Sequence, residues 1–193
     1  TLTVSPNADY NGDLTVSVIA SDGQASGSGS FTLTVAPVND APVISALDDQ
    51  AIDEDSSLSV TLSASDVDGD NLSLSASVNG NASTSINGTT LTITPDQNYN
   101  GSILVTVTAD DGELSSSTSF TLTVNPVNDA PSLDVLSDTS VAEDGVYTLE
   151  LGGSDIDGDA LTFQASVDGN GSAIVSGSVL TVTPNSDFNG DII

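Results

Sequence analysis

The stretch ILVTVTADDGELSSSTSFTLTV, residues 103–124, alternates apolar and small polar side chains on both sides of a short acidic turn. Ile103, Val105 and Val107 share one face in its first half, and Phe120 and Leu122 share one face in its second half. Alternation with a period of two is typical of half-buried β-strands, and Asp-Gly is common in turns. The stretch therefore predicts two β-strands separated by a tight turn.

The residues around this stretch follow the same rule. SLSVTLSAS at 57–65 and TTLTIT at 89–94 place apolar residues on one face and serine or threonine on the other, and turn signals rich in Asn, Asp and Gly separate them. No segment has a helical period of useful length. We predict an all-β fold of about seven short antiparallel strands per repeat, packed as a two-sheet sandwich, with a closed barrel as the alternative.

The chain repeats itself with a fixed spacing. PVNDAP occurs at Pro37–Pro42 and again at Pro126–Pro131, 89 residues later, and the same spacing relates SDVDGD at Ser65 to SDIDGD at Ser154. No insertion or deletion interrupts the register. The spacing divides the chain into the C-terminal part of one repeat (1–37), a complete repeat (38–126) and the N-terminal part of a third (127–193). The two partial repeats are complementary halves, so pairing between molecules and simple truncation both remain open.

The composition excludes several classes of protein. The 193 residues include 28 Asp and Glu but no Lys, Arg, His or Cys. A basic footprint for nucleic acid is absent, and so are disulfides, thiolate or imidazole zinc sites and Ser-His-Asp catalysis. No apolar run is long enough for direct membrane insertion. Oxygen ligands remain, and these suit hard cations such as calcium.

The acidic residues are clustered rather than spread over the surface. Most lie in the VND linkers, the DEDS and AEDG segments, the DVDGD and DIDGD turns and the DDG and SDG turns, whereas strand centres are nearly free of them. Two carboxylates about 4 Å apart repel by roughly 4 kcal/mol at an effective dielectric near 20. Periodic clustering therefore favours cation binding over a general solubilising role. DVDGD as a merely polar turn remains the simpler alternative, and an EF-hand is disfavoured because Gly69 holds the fourth position rather than the sixth.

The order of these motifs, VNDAP, then ED, DxDGD, NGS, DG and VNPVNDAP, resembles the bacterial cadherin-like tandem repeats of large secreted surface adhesins, over the full chain. The resemblance implies tandem cadherin-like or immunoglobulin-like Greek-key sandwiches arranged as a rod, with Ca²⁺ at each junction between repeats. It also implies the metal ligands. For the first junction these are Asn39, Asp40, Asp66, Asp68 and Asp111, and for the second they are Glu54, Asn128, Asp129, Asp155 and Asp157.

The resemblance also implies a function. It predicts a non-enzymatic, calcium-rigidified stalk segment of an extracellular adhesin, either attached to the cell surface through a membrane-associated parent protein or secreted, supporting cell adhesion or biofilm formation. The expected partners are calcium ions and neighbouring repeats of the same chain, with cell-surface glycans or like rods as further candidates. The alternative function is a calcium-dependent polysaccharide-binding module, although exposed aromatic residues are few. Paired carboxylates could also serve a glycosidase, but they lie here in short turns rather than in a concave site.

Overall fold

The computed structural model describes residues 1–193 and contains β-strands but no helix. No helix is therefore present that could cross a membrane. The chain divides into two compact units, Thr1–Pro126 and Val127–Ile193. The predicted all-β class is confirmed.

The first unit opens with a long antiparallel hairpin. Strand β1 (Gly12–Ser21) pairs with β2 (Ser26–Val35) over ten residue pairs, from Gly12 opposite Val35 to Ser21 opposite Ser26. Neither strand pairs with any other strand. The hairpin is thus a two-stranded sheet whose two outer edges are open.

The complete repeat follows and contains nine strands. These are β3 (Val43–Ile44), β4 (Gln50–Asp53), β5 (Leu58–Thr61), β6 (Ala64–Ser65), β7 (Ser73–Val78), β8 (Ala82–Asn87), β9 (Thr90–Pro95), β10 (Gly101–Asp110) and β11 (Ser115–Asn125). Seven of them have four residues or more, in agreement with the predicted number. The two short strands, β3 and β6, pair only with each other.

The longer strands form two sheets. One sheet has the order β4-β11-β10-β7, and the other has the order β5-β9-β8. All pairs are antiparallel except β4 with β11, which run parallel. The prediction of antiparallel strands alone was therefore too simple. Parallel neighbours need a long connection between them, and here strands β5 to β10 lie between β4 and β11 along the chain.

Side chains from both sheets meet in one core, as a sandwich requires. Leu91 and Ile93 come from β9, and Val105 and Leu122 come from the larger sheet; all four have no exposed surface. They are the inward members of the alternating pattern, while the intervening Ser and Thr residues face outward. Burial of these alternate residues supplies the main driving force for folding.

The second unit reproduces only part of this arrangement. Its strands are β12 (Ser132–Leu133), β13 (Tyr147–Glu150), β14 (Gly153–Ser154), β15 (Gly171–Ser176) and β16 (Val179–Pro184), and they match β3, β5, β6, β8 and β9 at a spacing of 89 residues. Residues 139–142 and 162–167, the counterparts of β4 and β7, do not form strands. In the complete repeat β4 and β7 pair with β11 and β10, and the second unit contains neither of those partners.

Candidate metal centre

The DVDGD turn folds around one carboxylate. Oδ1 of Asp66 accepts hydrogen bonds from the backbone N–H groups of Asp68 at 2.8 Å, Gly69 at 3.2 Å and Asp70 at 3.5 Å. Gly69 has a φ of 83°, a left-handed value that costs glycine little and other residues more. The sequence Asp-x-Asp-Gly-Asp therefore fixes a tight loop by binding its own amides with its first side chain.

This loop brings three carboxylates together. Oxygens of Asp66, Asp68 and Asp70 all lie within 4.8 Å of one another, with Asp66 half-buried and the other two exposed. Oδ2 of Asp66 is shielded from solvent and has no hydrogen-bond partner. A buried carboxylate oxygen without a donor is costly, and no cationic side chain exists in this chain to offset it. Such oxygens are suitable ligands for a hard cation.

The linker before the complete repeat contacts this loop. The backbone N–H of Asp40 donates to Oδ2 of Asp68 over 2.8 Å. Beside it, Nδ2 of Asn39 donates to Oδ2 of Asp111 over 3.1 Å. Hydrogen bonds thus connect all five residues predicted for the first junction: Asn39, Asp40, Asp66, Asp68 and Asp111.

Asp111 lies in the turn between β10 and β11. Its Oδ1 accepts the N–H groups of Leu114 and Glu113, each over 2.7 Å. These two bonds, that of Leu114 first, lower the pKa of the Asp111 carboxyl below its ordinary value, and the Asn39 amide adds to the effect. The same turn in the hairpin lowers the pKa of Asp22, through the N–H groups of Ala25 and Gln24. Both carboxyls are therefore held in the ionised form that a metal ligand needs.

The second unit repeats the arrangement. The N–H of Asp129 donates to Oδ2 of Asp157 over 2.7 Å, and Oδ1 of Asp155 accepts the N–H groups of Asp157 at 2.9 Å and Asp159 at 3.2 Å. Nδ2 of Asn128 donates to the carbonyl oxygen of Asp129 over 2.7 Å. The structure therefore brings Asn128, Asp129, Asp155 and Asp157 together, as it does their counterparts.

Glu54, the remaining predicted ligand, directly follows β4. Its backbone N–H donates to the carbonyl oxygen of Asn125 over 2.9 Å, and the residue is buried, with 5% of its surface exposed. Burial of a charged side chain is uncommon. Its assignment to the second junction stays a prediction.

The sequence-based ligand set omitted Asp70 and its counterpart Asp159. Both belong to the DxDGD motif, and both donate their N–H to the first Asp of the loop. The DxDGD motif itself could have indicated them, because three acidic residues at every second position of a tight turn lie close together.

An all-β sandwich that repeats along the chain, with acidic turns beside its linkers, is an immunoglobulin-like repeat. The family model described as a bacterial Ig domain matches residues 39–125 and 128–192, and the chain belongs to this family. Domains of this family are typically structural rather than enzymatic. No curated protein matches the chain.

Several solved structures are similar to the chain. Drosophila N-cadherin EC1-4 is 15% identical with a TM-score of 0.47, and the match covers 93% of this chain and 50% of that one. An endo-fucoidan hydrolase of glycoside hydrolase family 107 is 22% identical with a TM-score of 0.37, covering 93% and 30%. Domains 4-9 of the surface layer protein SbsC are 15% identical with a TM-score of 0.34, covering 91% and 31%. The chain spans half or less of each of these structures, and likenesses at this level carry no information on function.

Proposed function

We propose that this chain is a stalk segment of an extracellular bacterial surface adhesin, built from cadherin-like repeats of the VNDAP type and made rigid by calcium at the linkers between repeats. Membership of the bacterial Ig family and the tandem repetition support a structural role. The periodic acidic turns support the calcium requirement. Adhesion to a surface or within a biofilm is the role that such a stalk serves.

The observation that carries this proposal is the environment of Asp66. One of its oxygens is shielded from water without a hydrogen-bond donor, and two further carboxylates lie within 4.8 Å. Without a cation, these like charges repel one another. A bound Ca²⁺ supplies the missing positive charge and accepts several oxygens at once.

Calcium at this loop also acts on the linker. Asp40 is bonded to Asp68 through its N–H, and Asn39 is bonded to Asp111, so the linker and both acidic turns form one connected set. A cation shared among these residues restrains the Pro37–Pro42 segment against the complete repeat. Repulsion among the unneutralised carboxylates favours a looser linker. Charge neutralisation thereby controls the stiffness of the stalk.

The expected stabilisation follows from mass action. Extracellular calcium modules typically have Kd values of about 10⁻⁴–10⁻³ M. At ten to a hundred times Kd, each site adds roughly 1.4–2.7 kcal/mol to the free energy of unfolding. The melting temperature of a domain of this size changes by about 4–8 °C for each kcal/mol of stability. The melting temperature of the complete repeat should therefore rise by roughly 5–20 °C in calcium.

The test compares the 193-residue chain in millimolar calcium and in chelator by thermal melting, calcium titration and limited proteolysis of the Pro37–Pro42 linker. We expect calcium to raise the melting temperature and to protect the linker. Asp66→Asn should abolish the protection of this linker and the calcium-dependent rise in the melting temperature of the complete repeat. The change removes the central carboxylate while it keeps the size of the side chain. Asp48→Asn, which removes one exposed charge outside the cluster, is the matched control. Identical melting and proteolysis with and without calcium would refute the proposal.

A further inference from the structure

The complete repeat joins its first long strand directly to its last. Strand β4 lies at the edge of its sheet and pairs only with β11, Gln50–Asp53 against Leu122–Asn125. The two strands run parallel. The chain enters the repeat through the Pro37–Pro42 linker, before β4, and leaves it after β11. Each of the two paired strands is therefore the long strand nearest to one end of the repeat.

Further hydrogen bonds lengthen this contact at both ends. Before β4, Oδ1 of Asp49 accepts the backbone N–H of Thr121 over 2.6 Å. After β4, the backbone N–H of Glu54 donates to the carbonyl oxygen of Asn125 over 2.9 Å. Nδ2 of Asn125 also donates to Oδ1 of Asp53 over 3.3 Å. The two segments are thus bonded to each other beyond the limits of the strand ladder.

The inner side of this contact belongs to the hydrophobic core. Leu122 and Val124 of β11 are 0% and 1% exposed, and Ile52 of β4 packs against the cluster that contains them. Hydrogen bonds beside a hydrophobic core are electrostatically stronger than hydrogen bonds in water. We call the whole contact, residues 49–54 with residues 121–125, the clamp.

Tension between the two ends of the repeat acts on the clamp as shear. Force on the N-terminal linker draws β4 toward its own N-terminus, and force on the C-terminal linker draws β11 toward its C-terminus. Because the strands are parallel, these displacements are opposite and run along the strands. The hydrogen bonds between strands lie across this direction, so tension acts on all of them together. Strands that are drawn apart at one end instead lose one residue pair at a time.

We infer that the complete repeat is a mechanical element, in which the clamp carries tension from one linker to the other once the weaker segment before it has been released. Strands β5 to β10 lie between β4 and β11 along the chain, so they carry no tension while the clamp holds. The inference rests on the proposed stalk role only for the origin of the tension. The acidic loop at Asp66 contributes no bond to the clamp, so the clamp should hold in calcium and in chelator alike.

The segment before the clamp is held by fewer bonds. Strand β3 pairs with β6 over two residue pairs, and the backbone N–H of Ser45 donates to the carbonyl oxygen of Ser63 over 2.8 Å. The linker adds its contacts with Asp68 and Asp111. Tension therefore releases residues 39–48 first, and calcium bound at the linker opposes this step.

Single-molecule pulling on the 193-residue chain tests the inference. The chain has no cysteine, so Pro37→Cys with Pro126→Cys defines the two points at which the complete repeat is held. The hairpin and the second unit lie outside these points and carry no tension. We expect a short extension of at most about 35 Å, from residues 39–48, and then a long one of at most roughly 250–280 Å, from residues 49–125. A single extension of the whole repeat would overturn the order of release.

Two hydrogen bonds between a side chain and the backbone of the same sheet provide matched variants. Asp49→Ala removes the acceptor of the Thr121 N–H in the clamp. Asn79→Ala removes the acceptor of the Leu104 N–H, over 3.0 Å, at the end of β7 on the opposite edge of the sheet. Asp49→Ala should shorten the lifetime of the clamp under constant tension by roughly three- to tenfold, as the loss of one hydrogen bond predicts. Asn79→Ala should leave it nearly unchanged, and Asp49→Asn, which keeps an acceptor oxygen, should restore it.

The direction of pulling provides a second control. Asn100→Cys with Pro126→Cys applies force at the open ends of β10 and β11, where Gly101 lies opposite Val124, so these strands separate one pair at a time. We expect this pair of points to separate at a lower force than Pro37→Cys with Pro126→Cys at the same loading rate. Equal forces in the two directions would overturn the clamp, as would equal lifetimes of the two alanine variants.

Calcium separates this inference from the proposed function. The lifetime of the clamp should be the same in calcium and in chelator, whereas the force that releases residues 39–48 should rise in calcium. If calcium changes neither quantity, the proposed calcium site fails and the clamp stands. If chelator shortens the lifetime of the clamp as strongly as Asp49→Ala does, the clamp as described here is overturned.

Discussion

The backbone N–H of Asp40 donates a hydrogen bond to Oδ2 of Asp68 over 2.8 Å, and the same bond joins Asp129 to Asp157 over 2.7 Å in the other unit. The two bonds occur at positions 89 residues apart in units that differ in completeness. The contact between linker and acidic turn therefore belongs to the repeat and does not depend on the strands that the second unit lacks. It provides the geometry on which the calcium predictions rest.

Asp68→Ala should affect stability more in calcium than in chelator. In chelator the change removes an acceptor for the Asp40 N–H, which costs about 1 kcal/mol, but it also relieves repulsion among three carboxylates. In calcium it also removes a ligand and with it much of the roughly 1.4–2.7 kcal/mol that a bound cation adds. Urea denaturation of the variant and of the unsubstituted chain gives the loss of unfolding free energy in calcium and in chelator. Asp48→Ala should give equal, small effects in both, and equal effects of Asp68→Ala would contradict the calcium site.

The stability contribution of Asp111 should disappear in acid. Its pKa is lowered in the folded chain by the N–H groups of Leu114 and Glu113, so the unfolded chain binds a proton more readily than the folded chain. This contribution is present above the ordinary pKa of 3.8 and is lost as the pH falls through the lower folded value. Asp111→Asn should thus lower the urea midpoint at pH 7 in chelator and have a smaller effect near pH 3. Glu113→Gln, a charge change in the same turn, serves as the control, and an Asp111→Asn effect independent of pH would contradict this account.

The two copies of one core leucine should differ in their importance. Leu122 has no exposed surface, whereas Leu33 at the equivalent position of the hairpin is only half-buried. Leu122→Ala should cost the complete repeat about 2–5 kcal/mol, the usual range for truncating a fully buried leucine. Leu33→Ala should leave the main unfolding transition nearly unchanged. Calorimetry measures both, and equal losses would show that the hairpin contributes to the core of the complete repeat.

Gly101→Ala should be more harmful than Gly80→Ala. The two glycines have nearly equal φ values of 136° and 133°, so the backbone strain of a side chain is similar at both. A Cβ at Gly101 would lie 2.8 Å from the hydroxyl of Tyr99, whereas a Cβ at Gly80 would meet nothing within 4 Å. Displacement of Tyr99 would break its hydrogen bond to the carbonyl oxygen of Ser102, a further loss of about 0.5–1.5 kcal/mol. Denaturant midpoints of the two variants measure this difference, and equal midpoints would contradict it.

The sequence alone was enough to predict the fold class and the grouping of most predicted site residues. Alternation such as Ile103, Val105 and Val107 places one face inward in any half-buried strand, so the all-β class follows from local pattern. The loop at Asp66 is equally local, because its side chain binds amides only two to four residues away. Because corresponding residues lie 89 positions apart, the candidate ligands of one repeat also identified their counterparts in the next.

Tertiary structure decided what depends on distant partners. The sequence did not reveal that β4 runs parallel to β11, since that pairing joins segments from opposite ends of the repeat. It did not reveal that Oδ2 of Asp66 is shielded without a donor, because burial of one atom depends on the whole packing around it. Residues 162–167 match β7 in pattern yet form no strand, because local alternation does not specify the neighbour that a strand needs to satisfy its backbone hydrogen bonds.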